Sequence, residues 1–320
     1  VALVDSIVPA AEVLNTDMPI RKHFISGLIL QGELHVFYGD TGVGKTGVVA
    51  YEAAIISQTH DILVFVNEDT PRDFAMKFYM SGGKLEHLFV QRSKVKEMLL
   101  PRCNPELESI AASRPWGMIY FDSILDMKST DARLDAANSA RALFGPLSDL
   151  AHDYNVAVVC TAHINKANII EGSKQIQAKA RVVARVERPK MDPNADTIEY
   201  GKESQWVTHV ITEKFQRGRP GSKHAFHFEE TASRNPYTGK VDQELDEHGA
   251  LKDVQCYFCS SHDKLALDPK DEAPVSPDLE ARVTALWQQN HDISGVEVRR
   301  TIGGRSSDVY KILRKLKGKE

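Results

Sequence analysis

The chain has 320 residues, 42% of them hydrophobic and 26% charged, enough apolar material for one sizeable buried core and a smaller second one. Its 40 Lys and Arg against 44 Asp and Glu leave a net charge of −4, and no apolar run approaches the ~20 residues that span a bilayer, which argues against a helical membrane protein. Cys103, Cys160, Cys256 and Cys259 are too few and too scattered for a disulfide framework, and no signal-peptide pattern is visible, so reduced thiols and a cytoplasmic location are expected.

The first strong element is the apolar run His35-Val36-Phe37-Tyr38, read as a buried strand. It leads into Gly39-Asp40-Thr41-Gly42-Val43-Gly44-Lys45-Thr46 and then into the helix-forming stretch Val48 to Ala54. Strand, glycine-rich loop and helix at this spacing form a phosphate-binding loop: glycines let the backbone curl until its N–H groups face the phosphates, and the helix offers its positive dipole end. The expected ligands are ATP and Mg²⁺, with Lys45 reaching the β- and γ-phosphates and the Thr46 hydroxyl on the metal.

The next buried run, Ile62 to Val66, ends in Asn67-Glu68-Asp69. This places Glu68 at the C-terminal end of a strand, where open α/β sheets collect their ligands. Gly117 to Phe121 ends in Asp122, the position expected to hold Mg²⁺ directly or through water. Ser123 follows where many ring ATPases carry a water-activating glutamate, so that role is assigned to Glu68 as general base. The run Val156 to Thr161 leads to His163, a candidate donor to the γ-phosphate that would report its loss to the following segment. Asn165-Lys166-Ala167-Asn168 lacks the aspartate of a guanine-recognition motif.

These alternating runs and helical stretches predict an α/β fold with a mainly parallel sheet. Trp206 to Lys214 and Lys223 to Glu229, followed by the turn signals Asn235 to Gly239 and Asp246 to Gly249, predict antiparallel hairpins added to it. Cys256 and Cys259 with His262 and His248 superficially offer zinc ligands; the spacing is short for a finger, and the cysteines are read as small apolar residues. Domain boundaries are placed at residues 1–263, a proline- and charge-containing linker at 264–277, and a helical module at 278–320. In that module Leu279, Val283, Leu286 and Trp287 share one helix face, and Val309, Ile312, Leu313 and Leu316 another. With a short helix over 294–302 ending at Gly303-Gly304, this pattern predicts a helix-turn-helix or winged-helix-like unit. Arg305, Lys311 and Arg314 are its candidate DNA contacts, in a basic tail where protein interaction is the alternative.

The strand-ending Asn67-Glu68-Asp69, Asp122 without a following glutamate, the helix through Pro146-Leu147 to Ala151 before a Val-Ala-Val-Val strand, His163 with Lys166, and Gly172-Ser173 leading to Ala180-Arg181 together resemble the RepA-like branch of RecA-type ATPases, the hexameric replicative DNA helicases. The resemblance covers residues 10 to 230. It implies a RecA-like fold, a homo-oligomeric ring with ATP at each interface, single-stranded DNA in a central channel, and replication partners. It also implies an arginine acting on the neighbouring subunit's nucleotide: Arg181 matches it, with Arg185, Lys214, Arg217 and Arg219 as competitors. Candidate DNA-facing loops follow Asp122 and His163, the latter carrying Lys166, Lys174 and Lys179. The competing expectation is a nucleotide-switched DNA-binding ATPase in repair, recombination or regulation that does not unwind, in the manner of RecA-like recombinases and KaiC-like proteins.

Overall fold

The computed structural model describes residues 23–25, 28–91, 100, 104–124, 137–164, 179–189, 205–215, 221–245, 250–265, 277–291, 297–298, 301, 309, 312–313 and 316. Two compact units divide the chain, Val1–Ala266 and Leu267–Glu320.

In the first unit, β1 (His23–Ile25) and β2 (Ile29–Leu30) form a small hairpin. β3 (Leu34–Tyr38) leads to α1 (Lys45–Ile56), β4 (Asp61–Val66) to α2 (Pro71–Met80), and β5 (Leu88–Val90) to α3 (Asn104–Ala112). β6 (Trp116–Asp122), α4 (Ala137–Asp153), β7 (Ala157–Ala162) and β8 (Val182–Glu187) complete the α/β part. The antiparallel part comprises β9 (Gln205–Phe215), β10 (Lys223–Ala232), the short pair β11 (Gln243–Leu245) and β12 (Leu251–Asp253), and β13 (Gln255–Leu265). A nine-stranded sheet runs in the order β13-β10-β9-β8-β3-β7-β6-β4-β5. Neighbours from β8 to β5 are parallel; β8 to β13 pair antiparallel.

Near-continuous apolarity in the parallel strands has a direct cause, since alternate residues enter different cores on the two faces of the sheet. Leu34, Val36, Phe65, Ile119, Phe121, Val158 and Cys160 pack with Leu107 of α3 and Phe144 and Leu147 of α4. Phe37, Val64, Val66, Met118, Tyr120 and Val159 pack with Val48, Val49 and Ala53 of α1 and Phe74 and Phe78 of α2. His35 is fully buried between these elements, with Nε2 accepting from the Leu30 N–H at 2.9 Å and Nδ1 facing the Val158 carbonyl at 3.1 Å. Burial pushes its pKa down to about 4, so a neutral ring ties the hairpin to the sheet.

The antiparallel extension covers the face occupied by α1 and α2. Phe226, Phe228 and Cys259 join the α1–α2 core, and Arg72 of α2 reaches Asp242 at 2.6 Å. Cys256 and Cys259 are buried on β13, and the described residues hold no cluster of metal-binding side chains. β13 continues to Leu265, paired with Lys223, so the sheet runs two residues past the boundary expected at 263. α2 is closed at its start by a capping box, Thr70 accepting from the Asp73 N–H while Asp73 accepts from Thr70, with Pro71 as the first helical residue.

Glu52 on α1 is fully buried, and neither carboxylate oxygen has a hydrogen-bond partner among the described residues. Desolvation raises its pKa well above the ordinary 4.5. Stability is therefore lost as pH rises above the unfolded-state value, because the folded state resists ionisation that the unfolded chain allows. Glu52→Met is expected to stabilise the protein by about 1–3 kcal/mol. The gain should widen between pH 5 and pH 8 in urea denaturation; a pH-independent difference would mean that Glu52 is solvated.

In the second unit α5 (Pro277–Gln289) contributes Val283 to a core with Val298, Val309, Ile312 and Leu313. Leu279, Leu286, Trp287 and Leu316 pack against it, the same residues that periodicity places on helix faces.

Candidate nucleotide site

The loop Gly39–Thr46 joins the end of β3 to the start of α1. Gly42 (φ 77°) and Gly44 (φ 100°) take the left-handed conformation that L side chains resist, and a Cβ on Gly39 would lie 2.1 Å from the Val186 carbonyl oxygen. Val48 N–H bonds Gly44 O at 2.9 Å as the helix begins, leaving the preceding amides available to an anion. The Lys45 ammonium is folded back onto the loop, donating to the carbonyls of Gly39 (3.0 Å) and Asp40 (2.8 Å). Burial lowers its pKa against the opposing pull of Glu68, Asp122 and Asp40.

Asp122 ends β6 almost fully buried. Its carboxylate accepts from Thr46 Oγ1 at 2.9 Å and from Thr161 Oγ1 at 2.6 Å. Burial raises its pKa in spite of both hydroxyls, with Glu68 and Asp69 pushing the same way. A buried carboxylate beside a hydroxyl, disfavoured as an anion, is a donor set that a hard divalent cation fits, because the cation would supply the missing charge. Thr46 and Asp122 are the residues that would hold Mg²⁺, which shields phosphate charge when bound.

Glu68 follows β4, and parallel register places Val66 beside Asp122. His163 follows β7, one strand beyond β6. Its Nε2 lies 2.6 Å from Glu68 Oε1, while Nδ1 faces Lys45 Nζ at 3.4 Å and Thr41 Oγ1 at 3.5 Å. A carboxylate can only accept and an ammonium can only donate, which assigns the proton to Nε2 and leaves Nδ1 as acceptor. Lys45, His163 and Glu68 thus form a chain from the phosphate loop to the proposed base. Glu68 is the exposed member, open to a water molecule as a general base must be.

Arg181 lies elsewhere. Its N–H bonds Leu34 O at 2.9 Å and its guanidinium faces Glu33 at 3.7 Å, at the start of β3 and the opposite end of that strand from the loop. Lys214 Nζ donates to Ala180 O at 2.6 Å, so two of the cations selected by sequence meet at the end of the sheet away from the loop, and Arg181 is among the causes lowering the Lys214 pKa after burial. Arg185 is engaged within the chain by Glu187 and Glu213. Lys179 is exposed. Lys166, Lys174, Arg217, Arg219, Arg305, Lys311 and Arg314 fall outside the described residues.

A family model described as an AAA domain matches residues 3–168, more than half of the chain. The chain belongs to this family of AAA P-loop ATPases. The matched stretch of the AAA domain contains the loop, Glu68, Asp122 and His163; Arg181, Lys214 and the antiparallel extension lie beyond it. A search among curated proteins returns no match.

Several residues around the AAA nucleotide site escape a reading of the sequence alone. Thr161 fixes the second oxygen of Asp122; its signal is register, since Phe121 pairs with Cys160 and the next residues must therefore adjoin. Thr208 of β9 donates to Val43 O at 2.8 Å, and Arg188, just past β8, donates to Gly42 O at 2.9 Å. Both hold the loop from the antiparallel side, which no local motif announces.

Proposed function

We propose that the chain is the motor subunit of a homo-oligomeric ring, a hexamer of the RepA-like class, that uses ATP hydrolysis to translocate on single-stranded DNA and unwind duplex during replication. The observation that carries this reading is the 2.6 Å contact between Glu68 and His163. It joins the water-activating carboxylate at the end of β4 to the end of β7, from which the candidate DNA-facing segment 165–179 departs. With a triphosphate bound, Lys45 transfers its hydrogen bonds to phosphate and Nδ1 of His163 loses that donor; hydrolysis returns it. The His163 ring is thereby sensitive to nucleotide state. The Arg181–Lys214 pair, at the strand ends remote from the loop of the same chain, supports action on a neighbouring subunit. The separate core of the second unit supports an independently folded basic module.

The experiment is strand displacement on a forked duplex. Displacement with ATP, absent in Glu68→Gln, is expected; ATP-dependent DNA binding without displacement would instead establish a nucleotide-switched binding ATPase. Deleting 278–320 should leave ATP turnover intact while lowering DNA affinity. It should also flatten the dependence of log affinity on log salt by about 0.7 per lost single-strand phosphate contact. An unchanged slope would assign the module to protein contact.

A further inference from the structure

The groups with hydrolytic chemistry all lie on one side of the strand that carries the phosphate loop. Asp122 ends β6, His163 follows β7 and Glu68 follows β4, and in the sheet order these strands lie together beyond β3. The terminal phosphate and its water belong on that side, so the α-phosphate end of the nucleotide, with its ribose and base, is directed the other way, over β8, β9 and β10.

An aromatic stack lies there with a cation over it. A Cβ on Gly47 of α1 would come within 2.4 Å of the Phe228 ring, so this ring is seated directly on the first turn of the phosphate-binding helix. Trp206 stacks on Phe228 with centroids 5.2 Å apart and planes 5° from parallel. The Arg188 guanidinium lies over Trp206, 5.4 Å from the ring centroid, while its Nη2 donates to Gly42 O at the loop tip. Arg188 is exposed, although both contacts orient its head group. A planar, oriented, exposed guanidinium beside a phosphate loop is a stacking surface for an aromatic ring, since it keeps its charge and its flat face together.

We propose that Arg188, set by Trp206 and Gly42, is the platform on which the nucleobase of the bound nucleotide stacks. The ligand class is any nucleoside triphosphate, with purines favoured by their larger face. The inference rests on the assignment of this AAA domain as nucleotide-binding.

Loop shape does not depend on Arg188 alone, because Thr208 holds Val43 O independently of the phosphates. Base stacking and loop bracing therefore separate experimentally. Calorimetric affinities for ATP and for inorganic tripolyphosphate, both with Mg²⁺, are compared in the full-length wild type, Arg188→Ala and Arg188→Lys. Arg188→Ala is expected to weaken ATP about tenfold and tripolyphosphate less than about twofold. Arg188→Lys, which keeps the charge but loses the flat face, should follow the alanine variant for ATP. Equal losses for both ligands would make Arg188 a loop brace and overturn the proposal, as would no loss for either. Wild type that binds neither ligand would instead overturn the nucleotide assignment on which the proposal rests.

Discussion

Glu68→Gln is expected to bind ATP as the wild type does and to turn it over about 10²- to 10⁴-fold more slowly, the range general-base catalysis commonly spans. The amide preserves side-chain shape and a hydrogen bond to His163, but it cannot polarise water. Lys45→Ala should have the opposite profile. It removes an ammonium that donates to the loop carbonyls, and with it a charge-assisted contact to phosphate, so nucleotide binding itself should fail. Equilibrium binding of labelled ATP and steady-state phosphate release separate the two outcomes. Wild-type turnover in Glu68→Gln would remove Glu68 from the role of base and leave the Glu68–His163 contact as a structural bond.

The α/β half of the fold is legible because its signals are local. Four of the parallel strands, β3, β4, β6 and β7, are apolar runs bounded by polar residues, and the chemistry lies at their ends: Asp122 closes one run, while Glu68 and His163 follow two others within two residues; β5 and β8, the latter interrupted by Arg185, carry no such signal. The phosphate loop is continuous in sequence, so its spacing alone specifies its geometry. The antiparallel half is less legible. Residues of β13 alternate buried Cys256 and Phe258 with exposed Tyr257, then shift at the bulge opposite His227 and Phe228, which breaks the period that a sequence reading would follow. Its pairing with β10 is set by burial against α1 and α2, which is non-local.

The same division runs through the site. Asp122 and Thr46 are separated by 76 positions and meet at 2.9 Å, yet both are found by motif because each ends or begins an element. Thr161, Thr208 and Arg188 act through contacts fixed by strand register and sheet order, and each is an unremarkable residue within its own segment. Arg185 is the converse: it looks as eligible as Arg181 along the chain, but Glu187 and Glu213 neutralise it in the fold.

Arg181→Ala is expected to leave ATP binding intact and to lower hydrolysis by ~10³- to 10⁵-fold, the measured worth of arginine fingers. β3 has five residues and so spans about 16 Å between the Arg181 contact at Leu34 and the phosphate loop, too far for an arginine to serve its own chain's nucleotide. In the proposed ring the effect on chemistry is then exerted on a neighbouring subunit, and a second cation, Lys214, stands beside Arg181 in the same chain. Mixing decides the point. A subunit bearing Arg181→Ala keeps a complete phosphate site, and a Lys45→Ala neighbour keeps Arg181, so each supplies what the other lacks at half of the mixed interfaces. Partial recovery of phosphate release in mixed rings, with neither variant active alone, is the expected result. Mixed rings verified by differential labelling that show no recovery would exclude Arg181 as the trans residue and restrict it to its ion pair with Glu33 at the start of β3.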